Sequence, residues 1–324
     1  MRTLGLLLLP FTLLGQDSTL LILHKAGSSL GFYSRQGELL ADVPVGRHPH
    51  EMTLAADRRT VYITDNGTMS IEEAGEGGNT VTVVDLAARA KTGEVSLGRF
   101  RRPHGIALDR RTGLVFVSTE LPDQLLILDP RQDLVLRSLA TSGLTSHMVA
   151  LGSGSRWAFV SNSGSNNVAA VDVATGEVKL IPTGARPEGS AMSADRRLLY
   201  VANREAAKIS IIDTGTRAVV GEIRTGRGPV RLALTPDGKR LVYACMHDHT
   251  VEIVDLADRK VVGKVRLGGP PVSLSISPDG RHAYSSVQEL DTVYVISLAG
   301  QKVVRTIKTR PGSGPDAVLE VASK

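Results

Sequence analysis

One position of a recurring strand returns seven times along the chain, each time shortly after a Gly-containing turn that usually carries a Pro. Read in register, that position holds His50, His104, His147, Glu188, Val230, Val272 and Asp316. The spacings are 54, 43, 41, 42, 42 and 44 residues. A period just above 40 residues is the mark of a radial repeat in which each unit is one four-stranded blade. Equivalent positions of successive blades then form a ring around a single axis. Three imidazoles and two carboxylates, up to 266 residues apart in sequence, are thereby predicted to be neighbours in space.

The fold class that follows is all-β, a seven-bladed β-propeller. In the fourth repeat, strands are expected over residues 189–193, 198–203, 208–213 and 218–224, where β-branched and polar residues alternate between turn sequences. The fifth repeat gives 230–235, 240–245, 250–255 and 260–266. Pro236-Asp237-Gly238 and Pro278-Asp279-Gly280 carry turn chemistry: Pro presets φ, Asp bonds back to the backbone, and Gly takes the left-handed site. The last repeat supplies one strand, 315–321, and the N-terminal segment supplies three, 19–24, 29–34 and 38–43. Joined, they make a seventh blade and close the ring without a free axial edge. Residues 16–324 are therefore read as a single domain.

Composition excludes several function classes. Of the 324 residues, 42% are apolar and 22% charged, the balance of a soluble globular chain. The net charge of +5 comes largely from Arg in turns such as Asp57-Arg58-Arg59 and Asp195-Arg196-Arg197. With only 4% aromatics there is no stacking platform beside a basic stripe, which argues against nucleic acid as a partner. The single cysteine, Cys245, rules out an internal disulfide and a thiolate cluster; it is expected to be buried and inert. No Cys-x-x-Cys-His haem motif is present, and no haem or nucleotide is expected. Residues 1–15, with Arg2 followed by the apolar run Leu4 to Leu14, read as a signal peptide. The run is too short to span a bilayer comfortably, so a periplasmic or secreted protein without a membrane span is expected.

Leu199-Tyr200-Val201-Ala202-Asn203, with Ile211-Ile212-Asp213 and the turn that follows, resembles the YVTN-type propeller repeat. Val61-Tyr62-Ile63-Thr64-Asp65 and Ala158-Phe159-Val160-Ser161-Asn162 are close copies. His48-Pro49-His50-Glu51 and Pro103-His104-Gly105 are similar to the Pro-His starts of inner strands in the propeller lactonase family, which implies a seven-bladed ring and hydrolysis of a sugar lactone. Those motifs do not extend to Val230 and Val272.

The Asn position of the YVTN repeat defines a second expected ring: His24, Asp65, Thr119, Asn162, Asn203, Met246 and Val287. Blades seven to four are then polar at both rings and blades five and six apolar, the layout of a small-molecule pocket with one apolar wall. Neutral imidazoles and a carboxylate suit a divalent metal ion, Zn foremost by ligand type. His50, His104, His147 and Glu188 are the predicted ligands. Glu188, Asp316 and Glu120 are the predicted acid-base or orienting groups. His24, Asp65, Asn162 and Asn203 are the predicted substrate contacts. Arg231 is placed to meet a substrate anion, although strand alternation directs its side chain to the opposite face. The insertion 67–78, with Glu72, Glu73 and Glu76, stands where a lid would. Two functions fit these features: a metal-dependent hydrolase or lyase acting on a small oxygenated substrate, or a non-enzymatic propeller of the cell envelope that binds a small ligand or a protein at the same face.

Overall fold

The computed structural model describes residues 18–322, so the expected signal peptide lies outside the described residues. Seven antiparallel four-stranded sheets follow one another around an axis. Blade one runs from Pro49–Leu54 to Ala90–Ser96, and blade two from Arg101–Leu108 to Leu134–Ala140. The third, fourth and fifth begin at Ser146–Leu151, Pro187–Met192 and Pro229–Leu234. Blade six keeps only Ser275–Ile276 as a regular inner strand. The remaining strands of blades four and five match the sequence reading to the residue, at 198–203, 208–213, 218–224 and at 240–245, 250–255, 260–266.

Blade seven joins the two ends of the chain. Pro315–Ala322 pairs antiparallel with Ser18–His24, with Thr19 opposite Val321 and Leu21 opposite Leu319. Buried Glu320 locks this closure. It accepts from Ser18 Oγ at 2.5 Å, Arg35 Nε at 2.9 Å and, across the blade junction, Tyr284 OH at 2.7 Å.

The core is not central but divided among the seven blade junctions. Phe159 and Val168 of blade three meet Leu199 and Val201 of blade four, and Leu21 and Phe32 of blade seven meet Val61 and Ile63 of blade one. Each such side chain contributes roughly 1.5–3 kcal/mol by leaving water. Strands facing neighbours on both sides must be apolar on both faces, which is why the middle strands read as near-continuous runs of Val, Ile, Leu and Ala. Outer strands have one free edge and carry exposed Val and Leu, as at Val219, Val220, Leu134 and Leu136. Cys245 is buried in blade five and burial pushes its thiol upward, the inert state expected.

Inner strands share one irregularity that shapes the axis. Pairing jumps by one extra residue between Pro49 and Met52, Pro103 and Ile106, Ser146 and Val149, Pro187 and Ser190, and Pro229 and Arg231. This is a β-bulge in each of blades one to five, and it suspends the in-out alternation at the ring position.

Candidate functional site

All seven ring residues line one cavity of about 210 Å³ at the axis: His50, His104, His147, Glu188 and Asp316 on one side, Val230 and Val272 on the other. Met246 extends the apolar wall. The placement is built from one blade to the next. Thr64 Oγ1 of blade one donates to His104 O at 2.8 Å, Ser118 Oγ of blade two donates to His147 O, and Ser286 Oγ of blade six donates to Asp316 O at 2.5 Å. Each hydroxyl comes from the same position of a second strand and fixes the ring residue of the following blade.

The three imidazoles are buried and packed together. Ring centroids of His104 and His147 are 3.7 Å apart, and those of His50 and His104 4.1 Å apart with planes at 87°. One ring nitrogen from each can be chosen so that all three lie within 4.8 Å of one another. His104 Nδ1 is bonded to Glu120 Oε1 at 2.6 Å, and His50 Nδ1 to Asp316 Oδ2 at 2.7 Å. These carboxylates fix the orientation of each ring; Nε2 is left bare on His104, while on His50 it meets Arg231. His104 Nε2 and His147 Nδ1 are buried with no hydrogen-bond partner. Burial holds all three imidazoles below the usual His range; Lys25 adds to this for His50, and His104 adds to it for His147. They are therefore neutral at pH 7, the form that ligates metal.

Two cations enter this cluster, and alternation alone would have kept one of them out. The bulge at Val230 turns Arg231 into the cavity, so the expectation that its side chain faces the opposite side is corrected. Arg231 Nη2 lies 3.0 Å from Glu51 Oε1 and 3.1 Å from His50 Nε2. Lys25, buried by the closing blade, places Nζ 2.9 Å from His50 Nδ1 and 3.5 Å from Asp316 Oδ2. Burial lowers the Lys25 ammonium and raises the carboxyls of Asp316, Glu188 and Glu51. Glu188 Oε1 faces Arg204 Nη1 at 3.1 Å without hydrogen-bond alignment.

The second predicted ring is displaced by one residue. His24, Asp65, Asn162 and Asn203 do not line the cavity. Each is used within its own blade to close the turn between second and third strands. His24 Nδ1 meets Ser29 Oγ at 2.9 Å, and Asp65 Oδ2 accepts from Thr80 and Thr82 at 2.7 and 2.8 Å. Asn162 Nδ2 donates to Asn167 Oδ1 at 2.9 Å, and Asn203 Nδ2 to Lys208 O at 3.1 Å. Their expected place beside the substrate is corrected accordingly. The residue that follows each of these positions is the one that reaches the pocket in several blades: Lys25, Asn66, Arg204 and Gln288. Met246 belongs to this outer set, since Cys245, not Met246, ends the second strand of blade five. Glu120 stands behind His104, held also by Arg102 Nη1 at 3.4 Å, and does not line the cavity itself.

The insertion folds over the opening. Met69, Ser70, Ile71 and Glu72 line the cavity from above. Gly67 N donates to Arg47 O at 2.9 Å and Gly78 N to Asn66 O at 2.7 Å, closing the loop at its base. Arg102 holds the far side through the carbonyls of Glu73 and Gly75.

Comparison with known proteins agrees with this architecture. Among solved structures, the periplasmic gluconolactonase PpgL of Pseudomonas aeruginosa is similar with a TM-score of 0.77 at 19% identity, over 95% of this chain and 100% of that one. A functionally unknown protein from Desulfotomaculum acetoxidans DSM 771 gives 0.78 at 13% identity, over 94% and 99%. Kuenenia stuttgartiensis hydrazine synthase gives 0.69 at 18%, over 85% and 95%. At these identities the likeness is one of fold. No curated protein matches the chain in sequence. The chain is a seven-bladed β-propeller, and its residues 149–276 match the model of the YNCE-like beta-propeller family.

Proposed function

We propose that this is an exported propeller that binds one divalent metal ion at His50, His104 and His147 and acts on a small oxygenated substrate, a lactone or ester, as a hydrolase or lyase. The observation that carries the reading is the cluster itself: three neutral, buried imidazoles on one cavity, two of them with an unpartnered nitrogen. A metal ion bound there would supply Lewis acidity toward a carbonyl. The chain's own groups do the rest. Glu120 and Asp316 hold two imidazoles in one tautomer. Glu188, whose carboxyl is raised by burial, lies outside the group of three imidazoles, so its expected place as a metal ligand is corrected, and it serves as proton acceptor. Val230, Val272 and Met246 exclude water from one side of the bound substrate. Export rests on the N-terminal apolar segment and on the periplasmic setting of PpgL. Among the described residues, no helix is long and apolar enough to cross a membrane.

A second reading has its own support. Arg231 Nη2 already meets His50 Nε2 at 3.1 Å, which satisfies the third imidazole without a metal. On that reading the propeller binds a small ligand or a protein loop and does no chemistry. Elemental analysis of purified protein beside a His104→Ala variant separates the two. About one equivalent of a divalent ion, lost in the variant, is expected, together with turnover of lactones or aryl esters. Absence of metal from both proteins, even after loading, refutes the metal reading and leaves the binding propeller.

A further inference from the structure

The 67–78 loop does more than cover the cavity: it puts a carboxylate into a pair of arginines. Glu72 Oε1 accepts from Arg186 Nη2 at 2.8 Å and from Arg204 Nη2 at 3.1 Å. We propose that Arg186 and Arg204 form a carboxylate receptor at the pocket mouth and that Glu72 occupies it as a built-in competitor of an anionic ligand. The inference rests on the reading that the axial cavity binds a small molecule, and it adds that this molecule carries a carboxylate.

Three features argue for a receptor and against a simple loop anchor. Arg204 reaches in two directions, to Glu72 at the rim and to Glu188 of the inner ring through Nη1 at 3.1 Å. A ligand group held there is therefore positioned with respect to the imidazole side of the cavity. Glu72 also leaves the receptor partly unused. Both its bonds fall on a single oxygen, and Arg186 Nε is buried without a partner. The Nε and Nη2 edge of a guanidinium is the fork that takes both oxygens of one carboxylate, so an incoming ligand has a donor that Glu72 does not engage. Finally, the Glu72 side chain is 55% exposed, so its pairing is of the solvated, weakly stabilising kind and readily exchanged. The loop carries left-handed glycines at Gly67, Gly75 and Gly77, which give it room to lift. Ligand entry and lid opening are then one exchange of carboxylates.

Calorimetric titration of the full mature protein in chelator-treated buffer tests this, with gluconate, galacturonate and succinate as probes and sorbitol as the neutral match. Glu72→Gln removes the competing charge and retains the side-chain shape. It is expected to tighten binding of at least one carboxylate about fivefold, with sorbitol unchanged. Adding Arg186→Gln to that variant is expected to reverse the gain. Equal or weaker carboxylate binding by Glu72→Gln overturns the proposal. So does an equal gain for sorbitol, which would mark Glu72 as a steric lid only, and so does failure of every carboxylate to bind either protein. The readout needs neither metal nor turnover, so a failed metal assignment leaves this test intact.

Discussion

Gly105 follows His104, and a Cβ added there would lie 2.5 Å from His147 O and 2.7 Å from Met148 Cα. Both atoms belong to the backbone of the next inner strand and cannot turn aside. Normal contact requires the strands of blades two and three to separate by roughly 1 Å. Gly105 N also donates to Ser118 Oγ at 2.9 Å, and that hydroxyl donates to His147 O, so separation strains the relay that fixes the His147 backbone. Overpacking of this kind costs about 1–3 kcal/mol. Restricting the unfolded chain returns about 0.4–1 kcal/mol. Gly105→Ala is therefore expected to lose roughly 1–2 kcal/mol, a fall in Tm of about 1.5–3 °C in a domain of this size. The same shift should spread His104 and His147 from their 3.7 Å spacing and weaken metal uptake. Gly93→Ala is the control: it lies on an outer strand with nothing within 4 Å of the added carbon, and it should be neutral or slightly stabilising. Differential scanning calorimetry and metal titration of both variants read the outcome. A Gly105→Ala protein that melts with the wild type and keeps its metal would refute the claim that inner-strand contact sets the triad.

Two further predictions follow from individual carboxylates. Glu120→Gln replaces the charged acceptor of His104 Nδ1, and metal affinity measured by chelator competition should drop about 10–100-fold with little change in fold; unchanged affinity would show that Glu120 does not support a ligand. Asp65 is buried, which pushes its carboxyl from 3.8 to about 6. A folded pKa above the unfolded one stabilises the fold below about pH 4, and that contribution is lost as pH rises through 6, amounting to roughly 3 kcal/mol. Asp65→Asn should accordingly gain on the wild type between pH 4 and pH 7.5 in denaturant melts, and a difference that does not vary with pH would contradict the assignment.

The sequence by itself determined the number of blades, the limits of the second to fourth strands in blades four and five, and the ring that lines the axis. It could do so because a radial repeat makes equivalent positions neighbours whatever the loops do: His50, His104 and His147 share a cavity because they share a register. What lies beside that ring was decided by tertiary structure. Alternation directs Arg231 away, yet one extra residue in the ladder brings it to His50, and a bulge leaves no mark in a pattern read with period two. Asn162 and Asn203 have the composition of ligand-binding residues but are used by their own hairpins, while the next residues, Lys25 and Arg204, reach the pocket. Lys25 enters because the closing blade brings the N-terminal strands against blade one. Glu72 finds Arg186 and Arg204 because an inserted loop of blade one crosses to blade four. Contacts across the axis depend on where side chains end after bulges, turns and insertions have displaced them, and no local periodicity carries that information.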